Sequence, residues 1–579
     1  MRFSRFTSVL GVAAASALVL SACASTGDSN AASKDQTKSI SIAETNSFTS
    51  LNPESADGNS DINSKIASLT HGGFLTISDQ LEVLKNDKSF GTVEVLSKSP
   101  LKVKYTLNEG VEWDDGNKVD AGDFLLSWAA MSGHFDGKEK DGVTYFNFAG
   151  DSEGLGMTDM PELSDDGRSM TLTYSEPFID YETAFDMGVP AHVVAKRAGM
   201  SEEELVNLIK TAKPGEENEQ LRKVADVWNK GFSTTVKPDD ASLLASSGPY
   251  KIKDIVENQS VTLVKNDKYK GPAPKIDEIT IRTLGDANAQ IQALNNGEVD
   301  IISPAASVDT IQQLEKAQGV KTLVGDQLSY DHLDLNFGSD VFADEDVRKA
   351  FLLTIPRQEI VDKLIKPMSD KADVLDSQVF VSSQKQYSDA KAKNGSSEYD
   401  PAKVEENIAK AKELLKGKTP EVRILYNNNN PVRSNTFQMI QASAEKAGFK
   451  VIDKGSADWS KQLPKGDYDA SLFGWVSTGV GHSSFGQIFD SKGGSNFTKY
   501  DNKIVDEKTA EMRTTVGDEN KADQLAVDID RELFKDGYGL PLFQTTGVLG
   551  IKDRVKGIER YNPGSAGIYW NVQDWDVTS

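Results

Sequence analysis

A chain of 579 residues with a single cysteine, Cys23, cannot be held together by intramolecular disulfides or by a cysteine-built zinc site. Its order has to come from hydrophobic burial, and one core stops growing beyond roughly 250 to 300 residues. At least two lobes are therefore expected. The position of Cys23 narrows the reading further. Met1-Arg2-Phe3-Ser4-Arg5 leads into an apolar run from Val9 to Leu20, the layout of a secretory signal peptide. That run is shorter than the ~20 residues needed to cross a bilayer.

Leu20-Ser21-Ala22-Cys23 is similar to a bacterial lipobox, in which the chain is cut before the cysteine and its thiol carries lipid. An ordinary signal cut at Ala22-x-Ala24 is the alternative. The lipobox reading makes residues 1–22 a signal peptide and residues 23–38, small and polar, a flexible tether behind the lipidated Cys23. No later stretch approaches 18 consecutive apolar residues, so an extracytoplasmic protein anchored by lipid to the outer face of the cell membrane is expected. The formal charge of −24 repels phosphate backbones and excludes nucleic acid as a partner.

The remaining chain reads as α/β. Val422, Ile424 and Tyr426 fall on one strand face, Phe437 and Ile440 on a helix ending near Gly448, and Phe449 and Val451 on a second strand. That unit implies parallel pairing. Asp400-Pro401 opens a helix with Val404, Ile408, Ala411 and Leu415 as its stripe, before Gly417. Ser201-x-x-Glu204 is a capping box, and a helix through Ala287, Ile291 and Leu294 yields to a strand at Val299–Ile302. Asp469–Phe473 is a short apolar strand running into Gly474-Trp475 and a glycine-bracketed loop, where open α/β sheets place ligands; Trp475 as a core residue is the alternative.

Catalytic constellations are missing. Gly417-Lys418-Thr419 lacks the first glycine of a phosphate loop, since position 412 is Lys412, and it follows a helix. His71, His134, His192, His332 and His482 include no i, i+4 pair, so no metal site is expected. His482-Ser483-Ser484 lies outside any Gly-x-Ser-x-Gly elbow, and Asp114-Asp115-Gly116 reads as a turn and not a calcium loop. Neither enzymatic activity nor a cofactor is expected.

A set of blocks in fixed order carries a family resemblance. Leu51-Asn52-Pro53, Tyr105 to Gly116 with Val119 to Phe124 and Trp128, Ser247-Gly248-Pro249-Tyr250 with Lys265 to Tyr269, Asn296 to Asp300, Asp346 to Ala350 with Pro356 to Val361, Tyr399-Asp400-Pro401, and Gly466 to Ala470 with Gly474-Trp475 resemble the oligopeptide and dipeptide binding proteins of ABC importers. The resemblance spans nearly the whole mature chain. It implies a two-lobed, periplasmic-binding-protein-like fold of class II type with an inserted third subdomain. Lobe I would be discontinuous (39–77, 239–311 and 526–579), the insert would span 78–238, and lobe II 312–525.

It further implies a monomer that captures a small solute, a peptide foremost, by closing its lobes, and presents it to an ABC permease complex in the membrane. Relatives pair the peptide backbone with protein strands. By motif position, Asp57, Gly58 and Asn59 would supply one such strand, and Trp475, Val476, Ser477 and Thr478 the other. Thr478 stands where peptide binders carry an aspartate that neutralises the free amine, and a hydroxyl cannot compensate that charge. Asp57 is the first candidate to do so. The alternatives are a non-peptide solute such as an oligosaccharide, with Trp475 and Trp459 as stacking platforms, and, remotely, a secreted hydrolase.

Overall fold

The computed structural model describes residues 37–578 except 138–142 and 478; Cys23 and Thr478 lie outside the described residues. Ten strands form one mixed sheet. From one edge the order is Lys450–Gly455, Glu421–Tyr426, Ala470–Val476, Val320–Leu335, Gly539–Lys552, Ile301–Ile302, Ser39–Glu44, Glu278–Thr283, Ser260–Lys265 and Tyr250–Val256.

The local signals explain these elements. Asn430 caps the helix Pro431–Ala447 by accepting from Arg433 N–H, Pro431 sits at its first turn, and Gly448 closes it at φ 113°, a conformation costly for any residue with a Cβ. The strands on either side, Glu421–Tyr426 and Lys450–Gly455, pair in parallel, as the alternation predicts. Ser201 and Glu204 form the expected reciprocal capping box. Pro401 opens a short 3-10 turn before the α-helix Val404–Leu415, and Lys416, not Gly417 alone, takes a left-handed conformation at its end.

Two long antiparallel strands, Val320–Leu335 and Gly539–Lys552, tie the halves of the sheet together. Val320 to Asp326 pair with Thr546 to Lys552, next to Ile301–Ile302; Tyr330 to Asp334 pair with Gly539 to Gln544, next to Ala470–Val476. Between Asp326 and Tyr330 the register slips. Side chains bridge the interruption: Gln544 Nε2 donates to Gln327 O at 2.8 Å and the Thr545 hydroxyl to Ser329 O at 3.0 Å. A local break in a two-strand ladder bends the strands and leaves fewer backbone bonds to resist further bending.

Separate cores lie on the two sides of this break. One gathers Ile42, Trp128, Trp228 and Leu263; another gathers Leu333, Phe351, Ile424, Leu472 and Leu540. Between Ser39–Glu44 and Tyr250 the chain builds a second, four-stranded antiparallel sheet in the order Gly91–Lys98, Leu101–Leu107, Ser169–Thr173, Glu162–Leu163, whose core is continuous with the first. Among the described residues no helix is long and apolar enough to cross a membrane.

Candidate ligand-binding cleft

A cavity of about 750 Å³ opens where the long strands slip register. Gln327, Leu328 and Ser329 from the slip form one wall, continued by Val476 and Ser477, and the opposite wall comes from Glu44 to Asn46, Ser303 to Ala306 and Tyr561 to Tyr569. The strand Ala470–Val476 leads into this space. Its parallel partner reaches only from Ile424–Tyr426 to Ala470–Leu472, so Phe473 to Val476 have strand pairing on one edge only. Ser477 N–H prolongs that paired edge by donating to Leu328 O at 3.0 Å. Val476 is 72% exposed, an apolar side chain held out at the cavity wall.

Trp475 sits differently. It is half-buried, stacked between His332 (6.2 Å, 7°) and Phe497 (6.0 Å, 13°), with Phe473 edge-on at 5.3 Å. It lines a smaller cavity beside Tyr330 and Phe380 and not the large one, while Val476 and Ser477 line both. Trp459 lies under the Arg433 guanidinium at 5.6 Å and lines neither cavity.

The strand expected at Asp57, Gly58 and Asn59 is a turn. Gly58 N–H donates to Ser55 O (3.0 Å) and Ser55 Oγ (3.1 Å), and its carbonyl accepts from Asn63 Nδ2 at 2.7 Å. The backbone polar groups of Gly58 are consumed locally. A Cβ at Gly58 would lie 2.0 Å from Asn52 O, so the glycine serves a close backbone approach. Asp57 and Asn59 are exposed and line neither cavity.

The charge at the large cavity comes from residues the sequence did not single out. Lys65 Nζ lies 2.8 Å from Glu44 Oε2 and 3.4 Å from Asp61 Oδ2, and the Tyr569 hydroxyl donates to Glu44 Oε1 at 3.0 Å. Burial alone would lower the Lys65 pKa, but Glu44 and Asp61 outweigh it and hold the ammonium above its ordinary value. Burial raises Asp61, yet Asn46 and Lys65 hold it low overall. The trio therefore carries one net negative charge.

Past the cavity, the segment after Ser477 is tied to residues outside the four-stranded sheet but in the same stretch of chain. The Asp180 carboxylate accepts from the backbone N–H of His482 (2.9 Å) and Ser483 (2.7 Å), Ile179 N–H donates to Arg513 O at 2.8 Å, and Arg513 Nε pairs with Glu153 at 3.3 Å. Leu81 packs with Leu328 and Tyr330. Of these contacts only that of Leu81 with Leu328 joins residues that line the large cavity. One carboxylate trio, Asp120, Asp123 and Glu202, could geometrically hold a cation. Asp120 and Asp123 are however taken up in capping the helix Ala121–Met131 and in accepting from Ala191 N–H.

With this geometry in view, comparison with known proteins is direct. The model for bacterial extracellular solute-binding proteins, family 5 (middle region), matches residues 92–497. The oligopeptide-binding protein OppA of Mycobacterium tuberculosis is 25% identical over 483 residues, covering 80% of this chain and 72% of that protein. Among solved structures, a periplasmic EDTA-binding protein, EppA, superposes with a TM-score of 0.75 at 22% identity, covering 94% of this chain and 97% of that one. The oligopeptide-binding protein AppA of Bacillus subtilis, in complex with a nonapeptide, superposes at 0.64 with 19% identity, covering 94% and 100%. The fold is the two-lobed one implied by the sequence blocks, and the chain belongs to the bacterial extracellular solute-binding proteins of family 5.

Proposed function

We propose that the protein captures a peptide in the cavity between its lobes, catalyses nothing, and presents the closed complex to the permease of an ABC importer from a lipid anchor on Cys23. The observation that carries this reading is the 750 Å³ cavity at the register slip, walled by segments that the two long strands connect. Gln327 to Ser329 and their partners Gln544 and Thr545 act as the hinge, which moves the lobe limits expected at 311/312 and 525/526 to the slip itself, since Leu540 packs with Leu333 and Leu472 and Val320 to Asp326 pair beside Ile301–Ile302; the insert stays at 78–238. Rotation there opens and shuts the cavity while each core stays packed.

The single-sided pairing of Phe473 to Val476 supports backbone recognition, which gives affinity largely independent of peptide sequence. Trp475, Val476 and Ser477 supply that edge; Thr478, expected beside them, lies outside the described residues. The relative named as oligopeptide-binding and the neighbour seen with a nonapeptide favour a peptide. Thr478 in place of an amine-neutralising aspartate, together with the EDTA-binding neighbour, favours a second reading, a non-peptide solute in the same cavity. Native mass spectrometry of the purified full chain, followed by calorimetric titration with a peptide library and an oligosaccharide set, tests both. Retained or titratable peptide is expected. Binding of saccharide or chelate with no peptide response overturns the peptide reading.

A further inference from the structure

The large cavity does not end at the lobe junction. Ile77, Ser565 and Tyr569 line both it and a second cavity of about 690 Å³, so the two chambers share part of their walls. The second chamber lies between the helix Asp61–Thr70, the segment Ser565 to Gln573 and the hairpin Leu75 to Lys85, and reaches Asn52 to Glu54 and Asp186. Its volume is nearly that of the first, room for several residues of an extended ligand.

The wall of this chamber has a particular chemistry. Asp186 Oδ1 is fixed by the backbone N–H groups of Phe74 (3.1 Å) and Met187 (2.8 Å), and Oδ2 lies over Gly73, where a Cβ would approach it to 2.6 Å. The small residue is what lets the carboxylate take this position. Glu54 stands close enough for its charge to push the Asp186 carboxyl up, after burial, to about 7. Burial alone raises Glu54; among the described residues no basic side chain holds either of them down.

His71, also in the wall, is pushed down to about 4 by burial and stays neutral near pH 7. Lys85 is exposed and lies 3.3 Å from Glu182; Asp87 and Lys88 are exposed at the rim. Trp570, half-buried, completes the wall and offers an aromatic face of the kind that attracts cations.

We propose that this second chamber is a subsite for a cationic group of the captured solute, an amine or guanidinium, held by Glu54 and Asp186 against the face of Trp570. Two carboxylates withdrawn from water without a counter-charge are costly, and an incoming cation removes that cost. The subsite supplies the compensation that Thr478 cannot, at a different place along the ligand. It rests on the reading of the first cavity as the solute site, with ligands long enough to reach the second chamber.

The test uses terminally capped penta-alanine peptides in which one residue is lysine or its neutral analogue norleucine, at each position in turn, titrated calorimetrically into the wild-type full chain, Glu54→Gln, Asp186→Asn and Trp570→Ala. At one position lysine should bind at least about tenfold tighter than norleucine, the scale of one charge-assisted contact. Glu54→Gln and Asp186→Asn should erase that preference, so that the lysine and norleucine peptides bind each variant alike. No lysine preference at any position, or one that survives both substitutions, overturns the subsite.

If no peptide binds, the peptide reading fails by itself and the chamber is tested with agmatine alone. Thermal stabilisation of the wild type but not of Glu54→Gln keeps the subsite; equal or absent stabilisation removes it. Both carboxamide variants should melt no lower than the wild type, which separates loss of the site from loss of the fold.

Discussion

The carboxylate of Asp180 accepts a 2.7 Å hydrogen bond from the backbone N–H of Ser483, 303 residues further along the chain, and through it the inserted subdomain grips the loop that leaves the cavity wall at Ser477. A bond made across the mouth of a closing cavity stabilises the closed state selectively. Asp180→Ala removes an ionised acceptor from two N–H donors, a change of roughly 1.5–3 kcal/mol, all of it in the closed form. The affinity for any solute that stabilises the wild type should fall about 10- to 100-fold, measured by titration calorimetry, with little change in the unliganded melting temperature.

Trp475 is stacked between His332 and Phe497, so its first duty is packing. Trp475→Ala should destabilise the unliganded protein by about 2 kcal/mol, less than a fully buried tryptophan because the ring is half-buried. Trp475→Phe should recover most of this. Denaturant unfolding curves decide; an unliganded stability unchanged by the alanine would mark Trp475 as a ligand platform only.

Gly58 tests the placement of the turn at Asp57 to Asn59. Gly58→Ala drives a Cβ into Asn52 O and should lower stability by about 1–3 kcal/mol. Ligand affinity per folded molecule should not change, since the turn lines neither cavity flanking Ser477. A loss of affinity at constant stability would return this segment to the binding site.

The pH dependence of stability has a definite sign. Burial and the charges of Asp123 and Asp120 push Glu202 up to about 8; burial and Glu54 push Asp186 up to about 7. In the unfolded chain such carboxyls titrate near 4. The folded state therefore holds protons that the unfolded state has released, and stability falls as pH rises through 7 and 8. His71 and His134, lowered by burial, act in the opposite direction only below about pH 6.5. Carboxylates held low, such as Asp61 and Asp469, act only below about pH 4. Calorimetric melting between pH 6.5 and 8.5 should show a falling melting temperature, and Glu202→Gln should flatten the upper part of the slope. A melting temperature that climbs with pH in this window would contradict the assignment.

Legibility from sequence followed the range of the forces involved. The strand-helix-strand unit at Glu421–Gly455 and the box at Ser201 and Glu204 are local devices, written in periodicity and caps a few residues apart, and they are found as expected. The family blocks carried the two-lobed fold, which no local pattern encodes. The Glu44–Lys65–Asp61 trio, the Asp180 grip and the Glu54–Asp186 pair all join residues brought together by tertiary folding, and the register slip at Gln327 to Ser329 is marked only by Gly325 and Gly547, which pair with each other from distant parts of the chain. Asp57 to Asn59 were read as a strand from motif position, whereas the chain forms a turn at Gly58, whose carbonyl accepts from Asn63, four residues beyond that segment.

Small-angle X-ray scattering of the full chain, with and without a solute identified by titration, addresses the lobe motion itself. Closure about Gln327 to Ser329 requires the radius of gyration to fall when solute is added to the wild type, and to fall less at the same solute concentration in Asp180→Ala. An identical scattering curve with and without saturating solute would contradict it.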